Sequence, residues 1–513
     1  MTAAPLYYEL PANLTAKKFF RKLEKIIDHQ IKTQSYCIKT FYDTFDWRLY
    51  NSQLLCEFSH SQAASQLVLI NTDTGEPVAR QEMQNISKFH PQFPMGSLRD
   101  QLAASIGIRA LLPLCQLPHQ LYLINILNKD QKTVVRLKLE EHESLTNKLS
   151  LYPLKGYEKA AKKVAMILKN DLNLLSSDCT ATLVEALNQL KRKPGDYSSK
   201  LKLKIKPDMQ AEKAANIIFR NLLKGMKANE AGTIDDIDTE FLHDFRVAVR
   251  RTRAAFHLFK HILPAYVISA HAPLFSWLGQ ITGPTRDFDV YLLNYPQYEA
   301  ALPPSLREEL APFYHFLKQK QQQAQKELAE KLQSDEYKRK IISWEEYLQS
   351  SKTKQPKDNN SNLTIKQLAD QRTWKVYRRL LKDGNAISDT SPPEALHDLR
   401  KTAKKLRYLM EFFQGLYPKK DINQLIKALK NFQTVLGNFQ DYDVQENNIK
   451  HFSEEMLANN INQTTFLALG VLIQNLDGLK QTARRDFAHQ FAVFKEKENH
   501  LKFKQLFARK GKI

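Results

Sequence analysis

The chain has 513 residues, with 76 Lys and Arg against 55 Asp and Glu and a formal net charge of +21. That length exceeds what one hydrophobic core usually organises, so more than one domain is expected, while 42% hydrophobic residues exclude a wholly disordered chain. The excess of cations points to a polyanionic partner, whether nucleic acid, a membrane surface or polyphosphate, without choosing among them.

The opening residues, MTAAPLYYELPANLTAKKFF, lack the charged-then-apolar layout of a secretory signal, and no stretch approaches the ~20 apolar residues of a membrane span. Cys37, Cys56, Cys115 and Cys179 are scattered and form no CxxC pair. They argue against a disulfide scaffold and a thiolate zinc site, so a cytoplasmic setting is expected. With 15 Gly and none clustered, neither GxGxxG nor GxxxxGK[ST] is present.

Up to about residue 200 the texture is mixed. β-branched and aromatic runs at Tyr36 to Tyr42, Gln66 to Asn71, Gln120 to Ile126 and Thr133 to Leu139 predict strands. Helical spacing predicts helices over Thr15 to Ile31, with Phe19, Leu23, Ile26 and Ile27 inward, and over Tyr157 to Leu174. The expectation is an antiparallel α+β domain over 1–195, closed or strongly curved. Lys191 to Lys200 reads as a linker, and the polar run Ser351 to Asn362 as a flexible connection. Between them, residues 305–350 read as one or two long helices with a solvated charged face.

The second half repeats itself. FRNLLKG near 219, HDFRVAVRRTR from 243 and LGQITGPTRDFDV from 278 return in order as YRRLLKD near 377, HDLRKTAKKLR from 397 and LGNFQDYDV from 436. In the central helix of each copy, Leu242, Phe245, Val249, Thr252, Phe256 and Phe259, and Leu396, Leu399, Ala403, Leu406, Met410 and Phe413, form an apolar stripe. One step round lies a cationic row: His243, Arg246, Arg250 and Arg253, then His397, Arg400, Lys404 and Arg407, widened by Arg251, Lys401 and Lys405. Like charges one turn apart repel, and no acid stands at helical spacing within either row. An external anion would relieve the repulsion. The alternative is acidic side chains arriving from neighbouring helices. His243 and His397 open the rows. Their functional reading is a hydrogen-bond donor to phosphate oxygen, against an ordinary packing or capping role. A helical metal site would need a second ligand at i+4, which neither has.

HDFRVAVRRTR and HDLRKTAKKLRY, each followed by LG and D[FY]DV, resemble the CHAD domain (conserved histidine α-helical domain) over about 205–510. The resemblance implies two pseudo-symmetric four-helix bundles, about 205–350 and 363–510, with a basic surface that binds inorganic polyphosphate. Carried onto matching positions, the binding residues are His243, Arg246, Arg250, Arg251, Arg253, His397, Arg400, Lys401, Lys404, Lys405 and Arg407, with Arg220 and Arg378 added from the preceding helices. Asp287, Asp289, Asp441 and Asp443 are expected to cap helices or orient arginines.

TFYDTFDWRLYNSQLLCEF, TVVRLKLEE and LYPLKGYEK resemble the CYTH or triphosphate-tunnel family, an antiparallel barrel with a charged lumen. The family's ExExK falls on Tyr7, Glu9 and Pro11, and LLCEF supplies Cys56 and Glu57 where alternating arginines are usual. Arg136, Lys138 and Lys155 remain as lumen cations. Holding a triphosphate for hydrolysis needs a metal clamp and cationic contacts, so the expectation is a degenerate tunnel with no catalytic or metal residues. A divalent ion such as Mg would be needed only if the tunnel were active. The function expected is polyphosphate binding, at polyphosphate granules by resemblance. Triphosphate hydrolysis is the first alternative and nucleic-acid binding the second. The rows lack stacking aromatics apart from Tyr408 beside one of them, so no specific nucleic acid and no membrane partner is expected. Oligomeric state is left open.

Overall fold

A computed structural model describes residues 4–508 except 63, 202, 351–362, 389 and 459–460. The expected flexible connection at 351–362 lies outside the described residues. The chain divides into two compact units, Met1–Ser199 and Lys200–Ile513.

The first unit is built on nine strands: β1 (Leu6–Glu9), β2 (His29–Asp43), β3 (Leu54–Ser61), β4 (Ser65–Asn71), β5 (Pro77–Glu82), β6 (Leu112–Leu127), β7 (Thr133–His142), β8 (Lys148–Pro153) and β9 (Leu175–Ser177). They form one antiparallel sheet in the order β5-β4-β3-β2-β6-β7-β8-β1-β9. Its helices are α1 (Ala16–Glu24), α2 (Arg48–Asn51), α3 (Ser97–Ile106), α4 (Glu158–Asn170) and α5 (Ala181–Gln189). The four predicted strands fall inside β2, β4, β6 and β7. The first predicted helix is shorter than its spacing implied. Phe19 and Leu23 are buried on α1, but the helix stops at Glu24, and Ile31 pairs with Ile124 in the β2–β6 ladder. Sheet pairing along the whole of β2 outweighs local helical spacing there.

The strands are staggered, as a closing sheet requires. Residues Cys37 to Tyr42 of β2 pair with β3, while residues His119 to Leu127 of β6 pair with β7. Pro113 and Pro118 sit in the part of β6 that has only β2 beside it, the edge position in which proline is tolerated. The two ends of the sheet meet through side chains rather than a ladder: Tyr7 on β1 donates its hydroxyl to the Gly75 carbonyl in the β4–β5 turn at 2.7 Å. Gly75 has φ +71°, and an added Cβ would lie 2.5 Å from the Tyr7 ring. Only glycine fits this closure. The fold expected as a closed or strongly curved barrel is thus a curled sheet whose rims touch.

The stretch read as a linker is tied to this unit. Asp196 accepts from the Trp47 indole at 2.8 Å and from Arg192 Nε at 2.9 Å, and Tyr197 lies against Phe45 with ring centroids 4.4 Å apart.

The second unit is helical: α6 (Ala211–Ile234), α7 (Thr239–Leu258), α8 (Ala265–Ile281), α9 (Gly283–Ala301), α10 (Pro304–Arg307), α11 (Ala311–Gln333), α12 (Asp335–Gln349), α13 (Ile365–Asn385), α14 (Pro393–Phe413), α15 (Lys419–Leu457), α16 (Gln463–Phe494) and α17 (Lys497–Phe507). The repeat is visible in the helices: α6 and α7 answer to α13 and α14. The segment from Leu278 to Val290 has four more residues than that from Leu436 to Val444. The extra residues carry Gly283 and Pro284, and the first copy breaks there into α8 and α9 where the second continues as α15. Residues 305–350 form two long helices, α11 and α12, separated at Ser334, whose hydroxyl accepts from Tyr337 N.

Every residue of both predicted apolar stripes is buried, from Leu242 to Phe259 and from Leu396 to Phe413. They do not enclose two separate cores. One apolar cluster runs through both copies and includes Phe245, Phe256, Trp344, Leu399, Leu406, Phe432 and Phe491. A second forms where α9 and α11 meet α15 and α16, around Tyr291, Phe313, Phe452 and Leu472. The copies therefore share their interiors. Among the described residues, no helix is long and apolar enough to cross a membrane.

Candidate functional site

The cationic rows sit on α7 and α14. Asp238 starts α7 by accepting from Glu240 N at 2.9 Å and Phe241 N at 3.2 Å. Two prolines start α14, with Pro393 at its first position, where a missing N–H does no harm. His243 and His397 are each the fifth residue of their helix, so the rows begin at equivalent turns. Both histidines are half-buried.

Each row is held from the side by the helix that carries the LG and D[FY]DV residues. Arg246 Nη1 donates to Thr282 Oγ1 at 2.8 Å and lies 3.5 Å from the Gly279 carbonyl. In the second copy Arg400 Nη2 meets Asp441 Oδ1 at 3.0 Å. In the first copy glycine at the LG position gives a guanidinium group room, whereas in the second a Cβ would make only ordinary contact. A Cβ at Gly279 would lie 2.9 Å from Arg253 Nη1, and one at Gly437 would lie 3.7 Å from Arg400 Nη2. The expected orienting role of the aspartates is visible for Asp441. Asp443 faces Lys480 at 3.7 Å, and Asp289 accepts from Gln321 at 3.2 Å. Burial pushes Asp287 up against the pull of Arg246 and Arg286.

The two rows meet. Arg250 from the first copy acts electrostatically on Lys404 from the second, alongside Arg400, Arg407 and Asp441. Burial first, then Arg400 and Arg250, push the Lys404 ammonium down to about 8, with Asp441 opposing. Burial likewise pushes Arg246 down to about 10, and Arg250 adds to that shift. The Arg250 Nε–H is buried and, among the described residues, has no hydrogen-bond acceptor. Leaving charged donors crowded and unanswered costs free energy in the unliganded protein.

Neighbouring acids relieve part of the seam. Glu411 accepts from Arg251 Nη2 at 2.9 Å and lies 3.4 Å from Arg407 Nε, joining the copies. It stands one turn beyond Arg407, so its i+4 spacing was readable in the sequence although it falls outside the row itself. Lys401 pairs with Asp398 at 3.0 Å on the exposed side. Neutralisation from neighbours therefore applies to Arg251, Arg407, Arg400 and Lys401. Among the described residues no acid pairs with Arg250, and Lys404 is left under-neutralised.

The outlying candidates are placed differently. Arg220 donates from Nε to the Leu348 carbonyl at 2.9 Å, and from Nη2 to the same oxygen, closing the C-terminus of α12. Its Nε and Nη2 donors are thus engaged at a helix end. Arg378 is exposed on α13, and Lys405 and Arg253 are exposed on α14 and α7.

The first unit encloses a cavity of about 470 Å³ inside the curled sheet, lined by Lys32, Lys39, Arg80, Arg136, Lys138 and Lys148 together with Glu57 and Glu140. Arg136 and Lys138 face it, as strand alternation predicts. Lys155 is exposed and lies outside its lining. Lys39 and Lys148 were missed. Lys39 is signalled by sharing a strand face with Cys37 and Phe41 on β2.

The deepest charges in this cavity answer one another. Lys39 Nζ lies 2.7 Å from Glu140 and 3.2 Å from Glu57, and Lys138 Nζ lies 2.8 Å from Glu140 and 3.7 Å from Glu57. Burial favours the neutral acids, but Lys39 and Lys138 outweigh it, holding Glu57 below and Glu140 well below the usual carboxylate range. Glu9 accepts from Lys148 at 2.7 Å and from Ser177 at 3.1 Å. A divalent cation does not fit this donor set, because each of these three carboxylates is already held by lysine. Among the described residues, no three His, Cys, Asp or Glu side chains gather as metal ligands. The Asp43 carboxylate of the TFYDTFDW stretch is structural: it accepts from the N–H groups of Thr44, Leu49 and Tyr50 at 2.7, 2.9 and 2.9 Å, and burial pushes it up to about 7.

Residues 217–449 match the family model of the CHAD domain, and the helical unit contains such a domain. Among solved structures, the chain is similar to the CHAD domain from the plant Ricinus communis, with 24% identity, 56% of this chain and 96% of that chain covered, and a TM-score of 0.47. It is also similar to PptA from Streptomyces chartreusis, with 15% identity, 55% and 99% covered, and a TM-score of 0.44. A third similarity is to HpAC1 from Hippeastrum, an adenylyl cyclase candidate described as having a dominant triphosphatase activity. Its identity is 13%, with 39% and 100% covered and a TM-score of 0.29. No curated protein sequence matches the chain.

Proposed function

We propose that this chain, whose helical unit contains a CHAD domain, is a binding protein for inorganic polyphosphate and takes the polymer along the seam between α7 and α14. The observation that carries the proposal is the convergence of Arg250 and Lys404 from the two repeats: one has a buried donor without an acceptor, and the other is pushed down to about 8 by burial and neighbouring cations. A chain of phosphates supplies negative charge and acceptor oxygens at every step of such a row, and arginine offers them two parallel donors. Arg246 and Arg400 are pre-aimed by Thr282 and Asp441. Nucleic acid is the weaker partner. The aromatic ring beside the row, Tyr408, is buried to 9% exposure and offers no stacking platform to a base. Hydrolysis of triphosphate in the first unit is disfavoured as a reading, because Lys39 and Lys138 already hold Glu57 and Glu140. The corresponding cellular location is the cytoplasm, at polyphosphate deposits.

The Lys404 shift gives a direct test. With a folded value of about 8, the ammonium is charged at pH 7 and loses its proton as pH rises toward 9. A bound anion favours the charged form, so affinity must fall over that interval. Fluorescent polyphosphate titrated between roughly pH 7.5 and 9.5 is expected to lose about tenfold in affinity, the worth of one charge-assisted contact. Lys404→Arg, which keeps its charge, is expected to flatten the profile. No binding at low salt and pH 7.5 would refute the function, and a profile unchanged by Lys404→Arg would refute the assigned role of Lys404.

A further inference from the structure

The cationic surface does not stop at the seam. On α13, Arg372, Lys375 and Arg379 stand at i, i+3 and i+7, on one face. Lys375 and Arg379 are exposed and Arg372 is half-buried. This face lies beside Lys405 of α14, whose ammonium is pushed down first by burial and then by Arg372, Arg379 and Lys375. On α7, the exposed His257 is pushed down by burial and then by Lys405, Arg253 and Lys260. The charged groups that shift these two side chains are cations, and Arg379 also acts on the exposed Asp398 of α14.

Other solvated helices of this unit carry the usual i,i+4 pairs. On α11 and α12, Lys331 and Lys340 stand one turn from Glu327 and Glu336, with N to O distances of 4.0 and 2.6 Å. On the α13 face, Arg379 reaches Asp383 at 3.2 Å, but the Arg379 side chain is 72% exposed, so that pair is weak and readily exchanged. Because α7 and α13 both pack against α14, Arg253, Lys405 and the α13 residues Arg372, Lys375 and Arg379 form one basic strip. None of the three α13 residues belongs to the repeated rows.

We infer that this strip extends the anion site and reads the length of a phosphate polymer: a short chain fills the seam, and a longer one continues over Lys405 onto the exposed face of α13. The inference rests on polyphosphate binding at the seam. It follows from extent, because a polymer long enough to occupy the seam and the exposed α13 face together makes contacts that a chain filling only the seam does not.

The test compares short-chain and long-chain polyphosphate on the full-length protein and on the variant Arg372→Gln, Lys375→Gln, Arg379→Gln, across a series of salt concentrations. For the long chain, the variant is expected to lose affinity and its log–log salt slope to fall by about 2, since each lost contact to a single-stranded polyanion removes about 0.7. For the short chain, affinity and slope are expected to stay as in the parent protein, which also shows that the variant is folded. A long-chain slope unchanged by the substitutions overturns the inference while leaving the seam intact. Equal losses for both chain lengths also overturn it, because the strip would then not discriminate length. If the unaltered protein binds neither polymer, the seam reading fails and the inference with it.

Discussion

Replacing Arg250 and Lys404 together by glutamine is expected to weaken polyphosphate binding about a hundredfold, because two charge-assisted contacts worth about 1.5 kcal/mol or more each are lost. The same double substitution is expected to leave the helical unit at least as stable as before. In the free protein Arg250 disfavours the charge on Lys404, burial disfavours it further, and among the described residues the Arg250 Nε–H lacks an acceptor. Removing them relieves repulsion and desolvation, which is the usual relation between a functional site and the stability it costs. Isothermal titration and urea unfolding on the same sample check both halves. A loss of affinity matched by a loss of stability would make the pair structural, and the site would have to be sought elsewhere.

Glu140→Leu is expected to destabilise the first unit by about 3 kcal/mol, as removal of one partner from a buried ionic cluster does. It leaves Lys39 and Lys138 sharing Glu57 alone, with Lys39 only 4% exposed. Adding Lys39→Met is expected to recover most of the loss, since an apolar replacement of both partners is far less costly than a stranded charge. The pH dependence has a definite sign. Glu140 is held well below its ordinary value in the folded protein, so its contribution is complete above the ordinary carboxylate range and is lost as pH falls through the lowered folded value. Hydrogen exchange resolved by peptide reads the two units separately. Loss of protection in β2, β3 and β7 with unchanged protection in α7 and α14 is the expected pattern. Protection unchanged everywhere would mean that the lysine–glutamate cluster does not hold the sheet.

Much of the helical unit is legible in the sequence because its constraints are local. Spacing of three and four places Leu242 to Phe259 and Leu396 to Phe413 inward, and the next position round is then forced outward, where the cations are. What spacing cannot show is that the two rows converge, because that depends on how α7 packs against α14. Nor does it show that both copies share one interior, or that Arg220 turns away to close α12. Glu411 was within reach, since it follows Arg407 by one turn, but its second partner, Arg251, comes from the other copy. In the first unit the strands declare themselves by composition. The charges of the lumen are harder to read, because Lys39, Glu57, Lys138 and Glu140 come from three strands and their pairing is fixed by the stagger of the sheet. The Thr15 to Ile31 spacing misled for the same reason: β2 begins early because β6 offers it a partner over its full length.

The most direct measurement is competition at fixed salt. Fluorescent long-chain polyphosphate bound to the full-length protein is challenged with unlabelled polyphosphate and with single-stranded DNA of equal charge. The seam described above predicts that polyphosphate displaces the probe at far lower concentration than DNA, because it offers bare phosphate oxygens at every step, while Tyr408, the ring beside the row, is buried and gives a base nothing to stack on. Equal displacement by the two polymers would show a nonspecific polyanion surface and contradict the account.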